Sequence, residues 1–266
     1  KVETDSGGRA VRTLSRTPPV AGHNLYLHLD ARLQQVAEKV FGDYRGALVA
    51  LDPRNGGVLA LVSKPGFDPN LFVDGIDVST WRELNDSLDR PLINRALRGV
   101  YPPGSTIKPF MGLAGVELGV RRPGDTIADP GYFTLPGSSH RYRDWKKDGH
   151  GMVDLKRSIV ISCDTYYYGL AQQMGIERMA GFLSHFGFGK KTGIDLDGEL
   201  SGLMPTPAWK KKRFKQTWWP GETVVAGIGQ GYVLTTPMQL AVATMALANN
   251  GVVYKPQLLR AWRDAA

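Results

Sequence analysis

The sequence predicts a mixed α+β protein in which helices dominate, and three stretches carry that reading. Apolar residues 47–51 and 58–62 flank Pro53-Arg54-Asn55-Gly56-Gly57, the pattern of two strands joined in a hairpin. Thr236-Pro237-Met238-Gln239 combines a capping box with proline at the first helical position and opens a helix that runs to Gly251. From Ser162, residues Tyr167, Leu170, Ala171 and Met174 recur at helical spacing until Gly175 stops them.

The remaining elements follow in chain order. Residues 1–21 are polar and broken by Gly7-Gly8 and Pro18-Pro19, so they read as the tail of a preceding module or a linker, with the main domain over 22–266. Asp30 caps a helix whose Leu33, Val36, Ala37, Val40 and Phe41 share a face up to Gly42. After the hairpin, Val100-Tyr101-Pro102-Pro103-Gly104 makes a rigid turn into an apolar helix from Ser105 to about Gly119, and Pro109 is tolerable there only in the first turns. The polar, glycine-rich stretch 123–151 is too long for a simple connector, and such loops are often functional. A further helix starts near Ile176 and ends near Gly187. The basic run Lys210-Lys211-Lys212-Arg213-Phe214-Lys215, between Pro207 and Pro220, reads as a solvated loop.

Composition narrows the function classes. The chain has 266 residues, 42% of them hydrophobic, enough for one large core or two modest ones. No apolar run approaches the roughly 20 residues that span a bilayer, and no signal peptide opens the chain, so a native membrane anchor would lie outside it. The net charge of +8 favours an anionic partner such as a wall polymer or membrane surface. No groove-reading motif accompanies it, so nucleic acid is not expected. A single cysteine, Cys163, excludes an intrachain disulfide.

Two short motifs could do chemistry. In Ser105-Thr106-Ile107-Lys108 the serine and lysine share one face of a helix start, where burial and the helix's positive end favour an uncharged, basic lysine. Such a lysine can deprotonate a serine hydroxyl, and the first helical amides can hold an oxyanion. The bland alternative is a serine N-cap followed by a solvated lysine. Downstream, Ser162-Cys163-Asp164 offers a hydroxyl to relay protons and a carboxylate to orient Lys108 or the substrate, although serine and aspartate also cap helices.

Residues 100–109, Val-Tyr-Pro-Pro-Gly-Ser-Thr-Ile-Lys-Pro, resemble the active-site motif of class B penicillin-binding proteins, especially the elongation-specific subgroup of Gram-negative bacteria. Agreement extends to Asp68-Pro69-Asn70-Leu71-Phe72, Arg141-Tyr142-Arg143-Asp144-Trp145-Lys146-Lys147, Thr192-Gly193-Ile194-Asp195-Leu196 and Gly227-Ile228-Gly229-Gln230-Gly231-Tyr232, so it covers about residues 22–259. The resemblance implies a transpeptidase fold shared with serine β-lactamases, with helices packed on an antiparallel sheet. It implies acylation of Ser105 by stem peptides ending in D-Ala-D-Ala and by β-lactam antibiotics, with Lys108, Ser162 and Asp164 in support and no cofactor needed for catalysis. It further implies a site at the periplasmic face of the inner membrane, with a lipid-linked glycan polymerase and rod-shape scaffold proteins as partners. The family's usual second motif is SxN, whereas this chain carries SxD. Its third motif, KSG or KTG, is expected beyond the last residue together with the final sheet strands. Lys191-Thr192-Gly193 lies too close after Asp164 to serve. The residues leave the acceptor open. Water would make a D,D-carboxypeptidase, rapid deacylation a β-lactamase, and a noncatalytic sensor or scaffold would share the motifs.

Cys163 also suggests a metal. With Asp129 and Asp144 and with His150, or alternatively His140, it could supply one sulfur, one nitrogen and two oxygens to a tetrahedral zinc that staples the long loop beside Ser162. The spacing matches no standard zinc motif. The resemblance implies a structural metal at these positions, as in some elongation transpeptidases.

Overall fold

The computed structural model describes residues 1–18 and 20–264. Pro19 of the expected linker and Ala265 and Ala266 of the expected main domain lie outside the described residues. The chain divides into two compact units, one built from Lys1–Leu27 with the closing strand Leu259–Arg263, the other from His28–Leu258. In the first unit Val2–Thr4 and Ala10–Thr13 pair as an antiparallel hairpin. Asp5 turns it by accepting the amides of Gly7 and Arg9, so part of the expected linker has regular structure. Asn24–Leu27 pairs antiparallel with Leu259–Arg263.

The larger unit confirms the α+β class, and every strand pair among the described residues is antiparallel and two-stranded. Strands Gly46–Leu51 and Val58–Lys64 form the expected hairpin, with Val49 opposite Leu61 and Ala50 opposite Ala60. Val58, Ala60 and Val62 alternate onto the buried face, the period-2 consequence of a half-covered strand. Helix Ala31–Phe41 covers one strand and helix Pro237–Ala248 the other. Both begin as their sequences predict. Asp30 accepts from the Arg32 and Leu33 amides, while Thr236 and Gln239 cap each other reciprocally.

A second core joins helices Lys108–Glu117, Asp164–Met174 and Ile176–Leu183 through Phe110, Met111, Tyr166, Tyr167, Leu170 and Leu183, all nearly inaccessible to solvent. Each such side chain contributes roughly 1.5–3 kcal/mol when removed from water, so the helix ends that carry the chemical motifs stand on a rigid base.

The basic run corrects the expectation of a loop. Pro207–Phe214 is a helix, capped by Thr206, whose hydroxyl accepts from the Trp209 amide. Lys210 is only 1% exposed and pairs with Glu222. Glu222 in turn accepts from the Trp219 amide at the start of helix Pro220–Ala226. Lysine on one face and Trp209 on another give this helix a packed side that its charge run conceals.

Candidate active site and metal cluster

Gly104–Ile107 forms a 3-10 turn that runs directly into helix Lys108–Glu117, which places Ser105 at the surface and Lys108 inside. Lys108 is 1% exposed. Its Nζ lies 3.0 Å from Ser162 Oγ, 2.8 Å from the Ser162 carbonyl and 2.6 Å from Asp164 Oδ1. Ser162 Oγ in turn lies 2.9 Å from Ser105 Oγ, across 57 residues of sequence. The lysine therefore meets Ser105 through the Ser162 hydroxyl, whereas the three-residue spacing had pointed to direct contact. Its second neighbour is the Asp164 carboxylate. Burial raises the Asp164 pKa, and the hydrogen bond and charge of Lys108 oppose that rise.

The bland reading of Ser162 as a helix cap does not describe this geometry. Cys163 occupies the cap position of helix Asp164–Met174, and Ser162 adopts φ 54°, a left-handed backbone that costs a non-glycine residue about 1–2 kcal/mol. The helix's Thr165 amide is instead capped by Asp144 Oδ2 at 2.9 Å. Trp145 Nε1 donates to the Ile161 carbonyl, so the long loop grips the chain just before Ser162. Neither contact has a local signal, since both join residues 16 or more apart.

That loop folds through short antiparallel pairs, Ile127–Asp129 with Gly151–Val153 and Tyr132–Phe133 with Tyr142–Arg143. It crosses itself where only glycine fits. A Cβ on Gly131 would stand 2.1 Å from the Lys147 carbonyl oxygen, and one on Gly149 would stand 2.0 Å from that of Asp129. The crossing brings Asp129, Asp144, His150 and Cys163 together, all buried, with one ligand atom from each within 4.8 Å of the others. Cys163 Sγ is 3.5 Å from Asp129 Oδ2, close to the roughly 3.3–3.8 Å expected between ligands of a tetrahedral zinc with 2.0–2.3 Å bonds.

The chemistry of the donor set fits a cation. Burial pushes the Cys163 thiol pKa up, and Asp144 and Asp129 add to the rise. Burial would also raise Asp129, but hydrogen bonds from the Gly131 amide, His150 and Cys163 oppose it and the carboxyl is held low. His150 Nε2 is buried without a partner. His140, the alternative nitrogen, lies exposed against the Tyr142 ring. Lys191-Thr192-Gly193 is engaged elsewhere, its Thr192 and Gly193 amides bound by buried Glu199.

The chain as a whole is similar to known proteins. Residues 46–265 match the model of the penicillin-binding protein transpeptidase domain. The peptidoglycan D,D-transpeptidase MrdA of Acinetobacter baumannii is 51% identical over 264 residues, which are 99% of this chain and 39% of the relative. The crystal structure of Pseudomonas aeruginosa PBP2 in complex with WCK 5153 superposes with a TM-score of 0.89 at 51% identity, covering 93% of this chain and 54% of that one. PBP2 of Helicobacter pylori, solved in complex with MreC, gives 0.86 at 36% identity over 99% of this chain and 50% of its own. The chain thus spans about two fifths of the length of the curated relative and about half of the solved ones.

Proposed function

Because this chain belongs to the penicillin-binding protein transpeptidase domain family, we propose that it is the acyl-transfer part of a peptidoglycan D,D-transpeptidase. The observation that carries the proposal is the unbroken hydrogen-bonded line from exposed Ser105 through Ser162 to buried Lys108 and Asp164. Ser105 Oγ attacks the penultimate D-Ala carbonyl of a donor stem peptide. Its proton passes through the Ser162 hydroxyl to the Lys108 amine, and Asp164 balances the resulting ammonium. The tetrahedral intermediate collapses to an ester on Ser105 as D-alanine leaves, taking a proton back through Ser162. An amine of a second stem peptide then attacks the ester, forms the cross-link and regenerates Ser105. β-Lactams acylate the same oxygen by opening their ring.

Asp129, Asp144, His150 and Cys163 would hold a structural zinc, which would fix the loop against the Asp164–Met174 helix and take no part in the transfer. No other cofactor is required. No helix among the described residues is long and apolar enough to cross a membrane. The whole protein acts at the periplasmic face of the inner membrane, beside a glycan polymerase and a rod-shape scaffold. The solved complex of a relative with MreC supports the scaffold. Residues 1–21 form the junction to the preceding part of the protein and 22–266 belong to the transpeptidase domain.

Labelled penicillin tests the assignment. The full-length protein should bind it covalently, and Ser105→Ala should abolish binding. Labelling that survives in the variant refutes the role of Ser105. D-Alanine release and cross-linking of D-Ala-D-Ala peptides by the full-length protein separate an enzyme from a sensor.

A further inference from the structure

On the long loop that carries Asp129, Asp144 and His150, residues Arg141, Arg143 and Lys147 line one cavity of about 270 Å³ together with Pro130, Gly131, Tyr132 and Asp144. Asp144, the acid in that wall, is buried and accepts from the Thr165 and Lys146 amides, so its oxygens are already engaged. Three cations converging on one space repel each other, and the arrangement is favourable when an anion completes it. The backbone that carries these cations is held in place, and one cation is stacked. Arg141 lies over the Tyr132 ring, 4.3 Å from its centroid, a contact that leaves its N–H groups free to donate. The Arg143 carbonyl accepts from Tyr168 Oη, and the Lys147 backbone sits at the glycine crossing. Trp145, two residues beyond Arg143, bonds to Ile161 beside Ser162, so the cavity's wall is tied to the same turn that carries the relay hydroxyl.

We propose that this cavity is an oxyanion subsite that receives a free carboxylate of the stem peptide, upstream of its D-Ala-D-Ala end. The inference rests on the transpeptidase reading and deepens it. Arg141 and Arg143 bind the carboxylate through paired N–H donors, a geometry that a guanidinium matches and a lysine does not, while Lys147 adds charge. The space is roomy enough for a carboxylate and several waters.

The test compares two stem peptides that differ only in whether the upstream carboxylate is free or amidated, using full-length protein. Wild type should use the free acid with a kcat/KM at least about tenfold higher, the effect of one charge-assisted contact, carried mainly in KM. Arg141→Gln with Arg143→Gln should erase that preference while labelled penicillin still acylates Ser105 at the wild-type rate. A preference that persists in the double variant, or equal use of both peptides by wild type, overturns the subsite. So does a double variant that loses binding to anionic phospholipid vesicles while keeping the peptide preference, because the cavity would then serve a phosphate. Failure of wild type to react with penicillin would instead strike the transpeptidase reading itself, so the two failures are distinguishable.

Discussion

Two lysines in this chain are almost equally buried and both are paired with a carboxylate, yet only one is placed for chemistry. Lys108 and Lys210 are each 1% exposed; one meets Asp164 and the other Glu222. Around Lys108 the next neighbours are hydroxyls that lead outward to an exposed serine. Around Lys210 the pair ends in a helix cap at Trp219, and the ring of Trp209 beside it packs on Phe214 and Tyr232. A buried ion pair therefore does not mark a reactive site by itself. What marks it is whether the pair connects to a nucleophile that substrate can reach.

Experiments can break this contrast. The largest effect is expected from Lys108→Met, which keeps the stem and removes the amine. The rate of Ser105 acylation should fall by about 10²–10⁴, the usual worth of a general base, as read by stopped-flow acylation with a chromogenic β-lactam. Lys210→Met should leave the acylation rate per folded molecule unchanged but cost about 1–3 kcal/mol in denaturant unfolding, because half-buried Glu222 is left without its partner. Combining it with Glu222→Leu should restore most of that loss. An acylation defect as deep as that of Lys108→Met would erase the distinction.

Smaller effects sharpen the comparison. Cys163→Ser should abolish stoichiometric zinc in metal analysis of the purified full-length protein and slow acylation, since Cys163 sits between Ser162 and Asp164; unchanged zinc content would remove Cys163 from the ligand set. The Lys210 pair lies outside that loop, so chelation should leave its contribution intact. Thr206→Ala removes the cap of the Lys210 helix and should cost about 1 kcal/mol without altering acylation, as measured by paired melting and β-lactam kinetics.

Local signals were legible where the physics is local. Asp30, Thr236 with Gln239, and the Gly56-Gly57 turn each act within four residues, so caps and hairpin could be read directly from residue order. The same Thr-Pro start that announces the helix at Thr236 stands at Thr206, but a run of four cations obscured it. The burial of Lys210 depends on Glu222, twelve positions away. The spacing of Ser105 and Lys108 put them on one helix start, yet their connection runs through Ser162. Spacing cannot show a contact across 57 residues. The cluster of Asp129, Asp144, His150 and Cys163 was legible as a set of residue types, while the glycine crossing that assembles it becomes visible only in three dimensions. SxD in place of SxN brings a carboxylate, rather than an amide, 2.6 Å from the lysine.

The left-handed backbone of Ser162 has an evolutionary consequence. At φ 54° glycine would relax the turn, and asparagine or aspartate would tolerate it better than most residues, whereas a β-branched replacement would clash with its own backbone. The substitution easiest for the fold, glycine, is therefore the one that deletes the relay hydroxyl. If Ser162 relays the proton as proposed, variation at this position is caught between conformational comfort and proton transfer.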